Sequence, residues 1–262
     1  MMQVKPPAVA GLFYPADPDE LRAMLRGMFA AAHSDASERP LALIAPHAGY
    51  QYSGPIAANA YATLTPWAEQ INRVVVLAPS HRVPFIGIAA SSADAFQTPL
   101  GNIPVDRDAV TRLLDDPAVQ ALDAAFAQEH ALEVQLPFLQ TVLSDFTLVP
   151  LIVGEADAED VSRVIEALWQ PDTLIVVSSD LSHYLDYHSC QQRDQATSRA
   201  IEDMDAAHIG TYDACGAYPI RGLLRSAEHH GWRVRTLDLR NSGDTSGDKS
   251  KVVGYGAYEF FA

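Results

Sequence analysis

"LALIAPHAGYQYSG" (residues 41–54) begins as a strand and ends as something else. Leu41 to Ala45 are apolar with no polar alternation, which suits a central strand covered on both faces. Pro46 stops that pattern and His47 follows at once, ahead of Gly49, Tyr50, Tyr52 and the Gly54-Pro55 pair. Open α/β sheets bind ligands just outside the carboxyl ends of their strands, so an imidazole delivered there is a candidate for chemistry.

Working outward, the pattern recurs. "RVVVLAP" (73–79) runs into Ser80 and His81, and "TLIVVSS" (173–179) runs into Asp180, with His183 and Tyr184 just beyond. "FIGIAA" (85–90) and "FTLVPLIVG" (146–154) are further apolar runs. Helical spacing lies between several of them, over 19–32, 54–64, 106–116, 130–143 and 157–169. The tail adds helices over 192–206 and 217–231. Two late strands, "WRVRTLDLRN" and "KVVGYGAYEFF", alternate as an antiparallel pair does. Strands alternating with helices predict an α/β protein: one layered αβα domain over residues 1–262 with a mixed central sheet.

The composition agrees. The 262 residues are 48% hydrophobic and 19% charged, enough to bury a core without disulfide staples. A formal charge of −15 leaves little to neutralise phosphates, which argues against a nucleic-acid partner. No run approaches the roughly eighteen apolar residues of a membrane span. The first residues hold one lysine and no long apolar stretch, so no signal peptide is read there. Two cysteines without CxxC spacing, Cys190 and Cys215, suit a reducing cytoplasm.

Histidines after three separate strands, together with nearby carboxylates, suit a divalent metal such as iron, manganese or zinc. Two histidines plus one carboxylate with open positions is the non-heme Fe(II) arrangement. A turn-rich loop, "SGDTSGDKS" (242–250), presents Asp244 and Asp248. "QEHALEVQ" (128–135) sets His130 and Glu133 one helical turn apart, although Glu133 reads equally well as an exposed helix carboxylate. Cys215 opens a predicted helix in "DACGAYPI", where a dipole would lower a thiol pKa; a small packing residue is the plainer reading. Ser178-Ser179 lacks the GxSxG context of a hydrolase, and Ser80 directly adjoins His81. His33, His188, His208, His229 and His230 read as surface residues.

"VAGLFYPADPDEL", "APHAGYQYSGPIAANAY", "LAPSHRVPF", "EHALEVQLPFLQ", "VPLIVG", "SSDLSHY" and "CGAYPIRGLL" occur in that order. Together they resemble the MEMO family (mediator of ErbB2-driven cell motility), whose prokaryotic branch is the AmmeMemoRadiSam system protein B. The resemblance implies a fold similar to the class III extradiol, or LigB-like, dioxygenases. It also implies a metal held by His47 and His81, with a third ligand from the loop before the last strand. Counting back from "VVGYGA" reaches Asp244 for that ligand, with Asp248 in reserve. The implied cofactor is Fe(II), with zinc, manganese or copper as alternatives. His183 would act as general base and Asp180 would hold its tautomer. His130, Glu133, Tyr50, Tyr52 and Cys215 would line the pocket.

The activity so implied is that of an iron-dependent oxidoreductase acting on a small molecule. The alternatives are a non-enzymatic module that binds a peptide in the same cleft, or an accessory protein working beside AMMECR1-like and radical-SAM proteins. A phosphopeptide site would want clustered arginine and lysine. Only Arg82, Lys249 and Lys251 stand near the motifs.

Overall fold

In the computed structural model, which describes residues 2–33 and 37–262, the apolar runs form the parallel centre of a nine-stranded sheet. Across it lie His183–Leu185, Val252–Phe261, Ala42–Ala45, Thr173–Ser178, Arg73–Pro79, Thr147–Val153, Ile88–Ala90 and Val119–Ala121. Arg233–Asn241 pairs along the other length of Val252–Phe261. The four central strands, from Ala42–Ala45 to Thr147–Val153, run parallel, in register Ala45 to Ser178 and Pro79 to Val153. Parallel strands end on one edge, so His47, His81 and Asp180 start from the same side of the sheet. Antiparallel neighbours flank this centre: Val252–Phe261 on one side and Ile88–Ala90 on the other. The sheet is therefore mixed, as expected.

Every residue of Ala42–Ala45 and Thr173–Ser178 is buried, which requires cover on both faces. The helix Tyr50–Ala62 packs on Ala42–Ala45 and Val252–Phe261. Ala217–His230, backed by Ala158–Leu168, packs on Arg73–Pro79 and Thr173–Ser178. The result is the layered αβα arrangement that the pattern of elements predicts. Local signals explain most boundaries. Asp17 caps Pro18–Ala31 by accepting from the Asp19 and Glu20 amides, and Gly231 ends Ala217–His230 in the left-handed region at φ 66°.

Three local readings are corrected. The helix expected over 54–64 begins at Tyr50, with Pro55 inside it. Its first amide finds a partner outside the helix, because Tyr50 N donates to Phe13 O at 2.8 Å. The helix expected over 130–143 is a short 3₁₀ turn, Glu133–Gln135, running into Leu136–Val142. The 242–250 loop contains a five-residue helix, Ser242–Ser246, closed by a capping box between Asn241 and Asp244. A small sheet of Val4–Lys5, Ala95–Thr98 and Gly101–Pro104, which the hydrophobic pattern did not announce, stands beside the main one.

Candidate metal centre

Three imidazoles converge at the carboxyl edge of the sheet. One ligand atom each from His47, His81 and His130 can be chosen so that no two are more than 4.8 Å apart. Their ring centroids form a triangle with sides of 4.9, 5.2 and 5.4 Å. They open on a cavity of about 720 Å³ that Phe13, Tyr52, Asp180, His183, Tyr184 and Tyr255 also line.

Hydrogen bonds fix how two of the rings present themselves. The Ser178 hydroxyl donates its one proton to Ala131 O at 2.6 Å and accepts from Gln135 Nε2 at 2.7 Å. The 2.8 Å contact between Ser178 Oγ and His47 Nδ1 must therefore carry a proton from the ring. That leaves the lone pair on His47 Nε2, which faces Cys215 Sγ at 3.2 Å. Gln135 is itself oriented, since its Oε1 accepts from Tyr61 OH and its Nε2 reaches Pro46 O at 3.0 Å.

His81 is set the same way. Its amide donates to Glu129 Oε2 at 2.6 Å, and its Nδ1 lies 2.9 Å from Glu129 Oε1. Burial pushes the Glu129 carboxyl up, but the His81 hydrogen bonds and the Ala131 amide outweigh it and bring it down to about 2. An ionised Glu129 accepts only, so His81 Nδ1 donates and Nε2 is left as the free donor atom.

Burial, and then the neighbouring His47, pushes the His130 imidazole down to about 4. Burial drives His47 well below its ordinary value as well. Rings kept neutral at physiological pH offer lone pairs to a cation. His130 Nδ1 is a buried polar atom without a hydrogen-bond partner, although Glu129 Oε1 lies 3.3 Å away. An orphaned imidazole nitrogen beside two oriented ones fits a divalent transition ion.

Cys215, expected in the pocket, adjoins His47 but is not among the residues lining the cavity. Its Sγ lies 3.2 Å from His47 Nε2 and accepts from the Asp180 amide at 3.3 Å. Burial, followed by the charge of Asp180, pushes the thiol up in the absence of a cation. The approach depends on Gly216, where a Cβ would sit 2.6 Å from Ser179 Cβ and 2.9 Å from Ser178 O. "CG" at 215–216 is thus the signature of a turn pressed against the end of the Thr173–Ser178 strand.

Other expected site residues lie elsewhere. Asp244 is not with the imidazoles: its Oδ1 accepts from Tyr187 OH at 2.6 Å and its Oδ2 from Asn241 N at 3.0 Å, within the capping box. Asp248 lines the cavity, with Oδ1 accepting from the amide and hydroxyl of Ser250. Glu133 does not line the pocket. It pins the N-terminal segment, accepting from Ala8 N at 2.6 Å, Val9 N at 2.9 Å and Tyr14 OH at 2.7 Å, with Lys5 Nζ at 3.3 Å. Residues 130–135 do not form a regular α-helix, and His130 lines the cavity while Glu133 turns to the N-terminal segment.

Tyr50 and Tyr52, two positions apart on a helix, point about 200° away from each other. Tyr52 lines the cavity, while buried Tyr50 donates to Val134 O at 2.7 Å. His183 and Asp180 both face the cavity, but no hydrogen bond joins them. Asp180 Oδ1 instead accepts from His47 N at 2.7 Å, bracing the turn after Pro46. Burial raises the Asp180 pKa. Sequence reasoning missed Glu129, Ser178 and Gln135 as orienting groups. Glu129 sits directly before His130 in the motif, which was the available signal.

Fold and donors together define a layered α/β protein with three imidazoles, two at strand ends and one from a loop, that could hold a metal ion. The chain belongs to the Memo-like protein family, whose model matches residues 5–259. It is 35% identical over 266 residues to a MEMO1 family protein from Aquifex aeolicus, covering 97% of this chain and 98% of the relative. A MEMO1 family protein from Methanopyrus kandleri is also 35% identical, over 97% of this chain and 98% of its own. Among solved structures, uncharacterized protein JW3007 from Escherichia coli K12 shares the fold. It has a TM-score of 0.53 and 14% identity, over 84% of this chain and 100% of the other. Among the described residues, no helix is long and apolar enough to cross a membrane.

Proposed function

We propose that the chain is an iron-dependent oxidoreductase acting on a small organic substrate that enters the cavity above the imidazoles. His47, His81 and His130 would hold the ion, with the Cys215 thiol as a further donor. Bound iron would supply redox chemistry and Lewis acidity to a substrate in the cavity. The observation that carries the reading is the arrangement of the donors: three imidazoles, two of them with fixed tautomers, on the floor of a cavity. Structural zinc sites are closed by protein ligands, whereas catalytic sites keep an open position. Imidazole with a thiol suits iron, copper or zinc; the resemblance to extradiol dioxygenases supports iron.

The chain's own groups have distinct tasks in this scheme. His183, on the cavity wall, would take a proton from a bound hydroxyl. Asp180, kept in place by the His47 amide, would hold negative charge or a proton beside the donors. Phe13, Tyr52 and Tyr255 would exclude water and stack on a planar substrate. A phosphopeptide-binding role has less support, because Lys251 is the one Lys or Arg in the lining and Asp180 and Asp248 stand with it.

Protein purified without oxygen should carry about one iron per chain, lost in His47→Ala and in His81→Ala. Iron-loaded protein should consume oxygen with a catechol-like substrate. His183→Ala should slow that reaction while keeping its iron. Full iron in both ligand variants would overturn the site. No oxygen uptake with any catechol-like compound, combined with a stably retained protein partner, would replace the enzyme by a binding module.

A further inference from the structure

Far from the cavity, a second group of donors stands on the surface. His229 and His230 close the helix Ala217–His230, and Glu166 faces them from Ala158–Leu168. One ligand atom from each of the three can be chosen so that no two are more than 4.8 Å apart. Glu166 Oε2 lies 2.7 Å from His230 Nε2 and 3.8 Å from His229 Nδ1. Glu166 Oε1 is shielded from solvent and has no hydrogen-bond partner.

The plain reading is a histidine–glutamate hydrogen bond between two neighbouring helices. That reading accounts for His230 but not for His229. The His229 side chain is 75% exposed, yet its Nδ1 is turned toward the same carboxylate. Nor does it use the shielded Oε1. The His230 ring is held rather than free: it stacks on Trp232 with centroids 5.2 Å apart and lies 4.8 Å from the Trp169 ring. The cations lining the adjacent cleft are already paired, Arg225 with Glu159 and Glu228, and Arg163 with Asp116 and Asp160. They leave the carboxylate of Glu166 to the histidines.

We propose that Glu166, His229 and His230 form a peripheral site for a borderline divalent transition ion of the zinc class. Two imidazoles, one carboxylate and a water make the four-coordinate N/O set such an ion takes. The site ties the last turn of one helix to its neighbour. That helix is 14 residues long, about 21 Å at 1.5 Å per residue, and its opposite end is the Gly216 cap beside Cys215. One rod therefore carries a donor of the candidate metal centre at its start and two donors of the peripheral site at its end.

Zinc alone is the probe. Apo protein titrated with Zn(II) should bind one more ion per chain than His229→Ala or Glu166→Gln does. Glu166→Gln keeps the size and shape of the side chain, the His229 side chain is 75% exposed, and circular dichroism verifies the fold. In the His47→Ala/His81→Ala background one zinc should remain. It should quench or shift the fluorescence of Trp169 and Trp232, and binding should weaken at least 10-fold on adding His229→Ala. If zinc stoichiometry and affinity are the same with and without His229 and Glu166, the site does not exist. Because the readout is zinc at a surface removed from the cavity, failure here leaves the iron reading untouched, and the reverse also holds.

Discussion

The cavity has two unlike walls. One is built from the ends of the central parallel strands and the turn at His130. Its donors run from buried His47 through half-buried His130 to exposed His81, and each of His47 and His81 is aimed by a committed second residue, Ser178 or Glu129. The other is the segment 242–251, largely exposed, whose polar groups are mostly spent nearby: Asp244 caps its own helix and accepts from Tyr187 OH, Asp248 holds Ser250, and Ser246 Oγ donates to Ser242 O. The first wall is organised to hold a cation, and the second to cover an opening. Rigid strand ends can set donor atoms to within the tolerance a metal demands. A short capped loop with its carboxylates already satisfied cannot, and it remains suited to admitting ligand.

Substitutions can break this contrast, and the largest effect belongs to the first wall. His47→Ala or His81→Ala should lower iron affinity by more than about 100-fold, read by dialysis against a chelator. Ser178→Ala and Glu129→Ala remove no ligand but release a ring, and should cost about 10- to 100-fold. Equal affinity in these variants would mean that the tautomer relay is irrelevant. Gly216→Ala should push the 215–216 turn off Ser179 and weaken iron binding by about 10-fold, with a loss of stability as well, since overpacking costs about 1–3 kcal/mol.

Acid should act on the same wall. His130 ionises near 4 in the folded chain but near its ordinary 6.5 when unfolded. Between those values the unfolded chain binds the extra proton, so metal-free stability should fall as pH drops from 6.5 toward 4. Glu129 extends the loss from its ordinary 4.5 down to about 2, because only the unfolded chain takes up that proton. Urea unfolding that is flat between pH 6.5 and 4.5 would contradict the buried-imidazole description. The second wall gives the smallest effect. Asp244→Ala should cost at most about 1 kcal/mol of local stability through its cap and leave iron binding unchanged.

How much of this could be read from the chain depended on range. His47 and His81 were legible because each ends an apolar run, and parallel strands must end on one edge. Most helices and the late antiparallel pair were legible from their periodicity, the segment 130–143 excepted. Asp244 was reached by counting back from "VVGYGA", and a count along the chain does not show that its oxygens are engaged by Tyr187 OH and Asn241 N. His130 and Glu133 were put on one face by a helical period that the chain does not adopt there. The approach of Cys215 to His47, 168 residues away in sequence, depends on a glycine contact that no local pattern encodes. The orienting roles of Ser178 and Glu129 follow from counting protons on hydroxyl and carboxylate, which needs coordinates.

Iron content measured side by side in the unaltered chain, His130→Ala and Asp244→Ala, each purified without oxygen, tests the assignment most directly. Full iron is expected in Asp244→Ala and at least a 10-fold depletion in His130→Ala. Depletion in Asp244→Ala with full iron in His130→Ala would contradict it, and would move the centre from the strand ends to the loop.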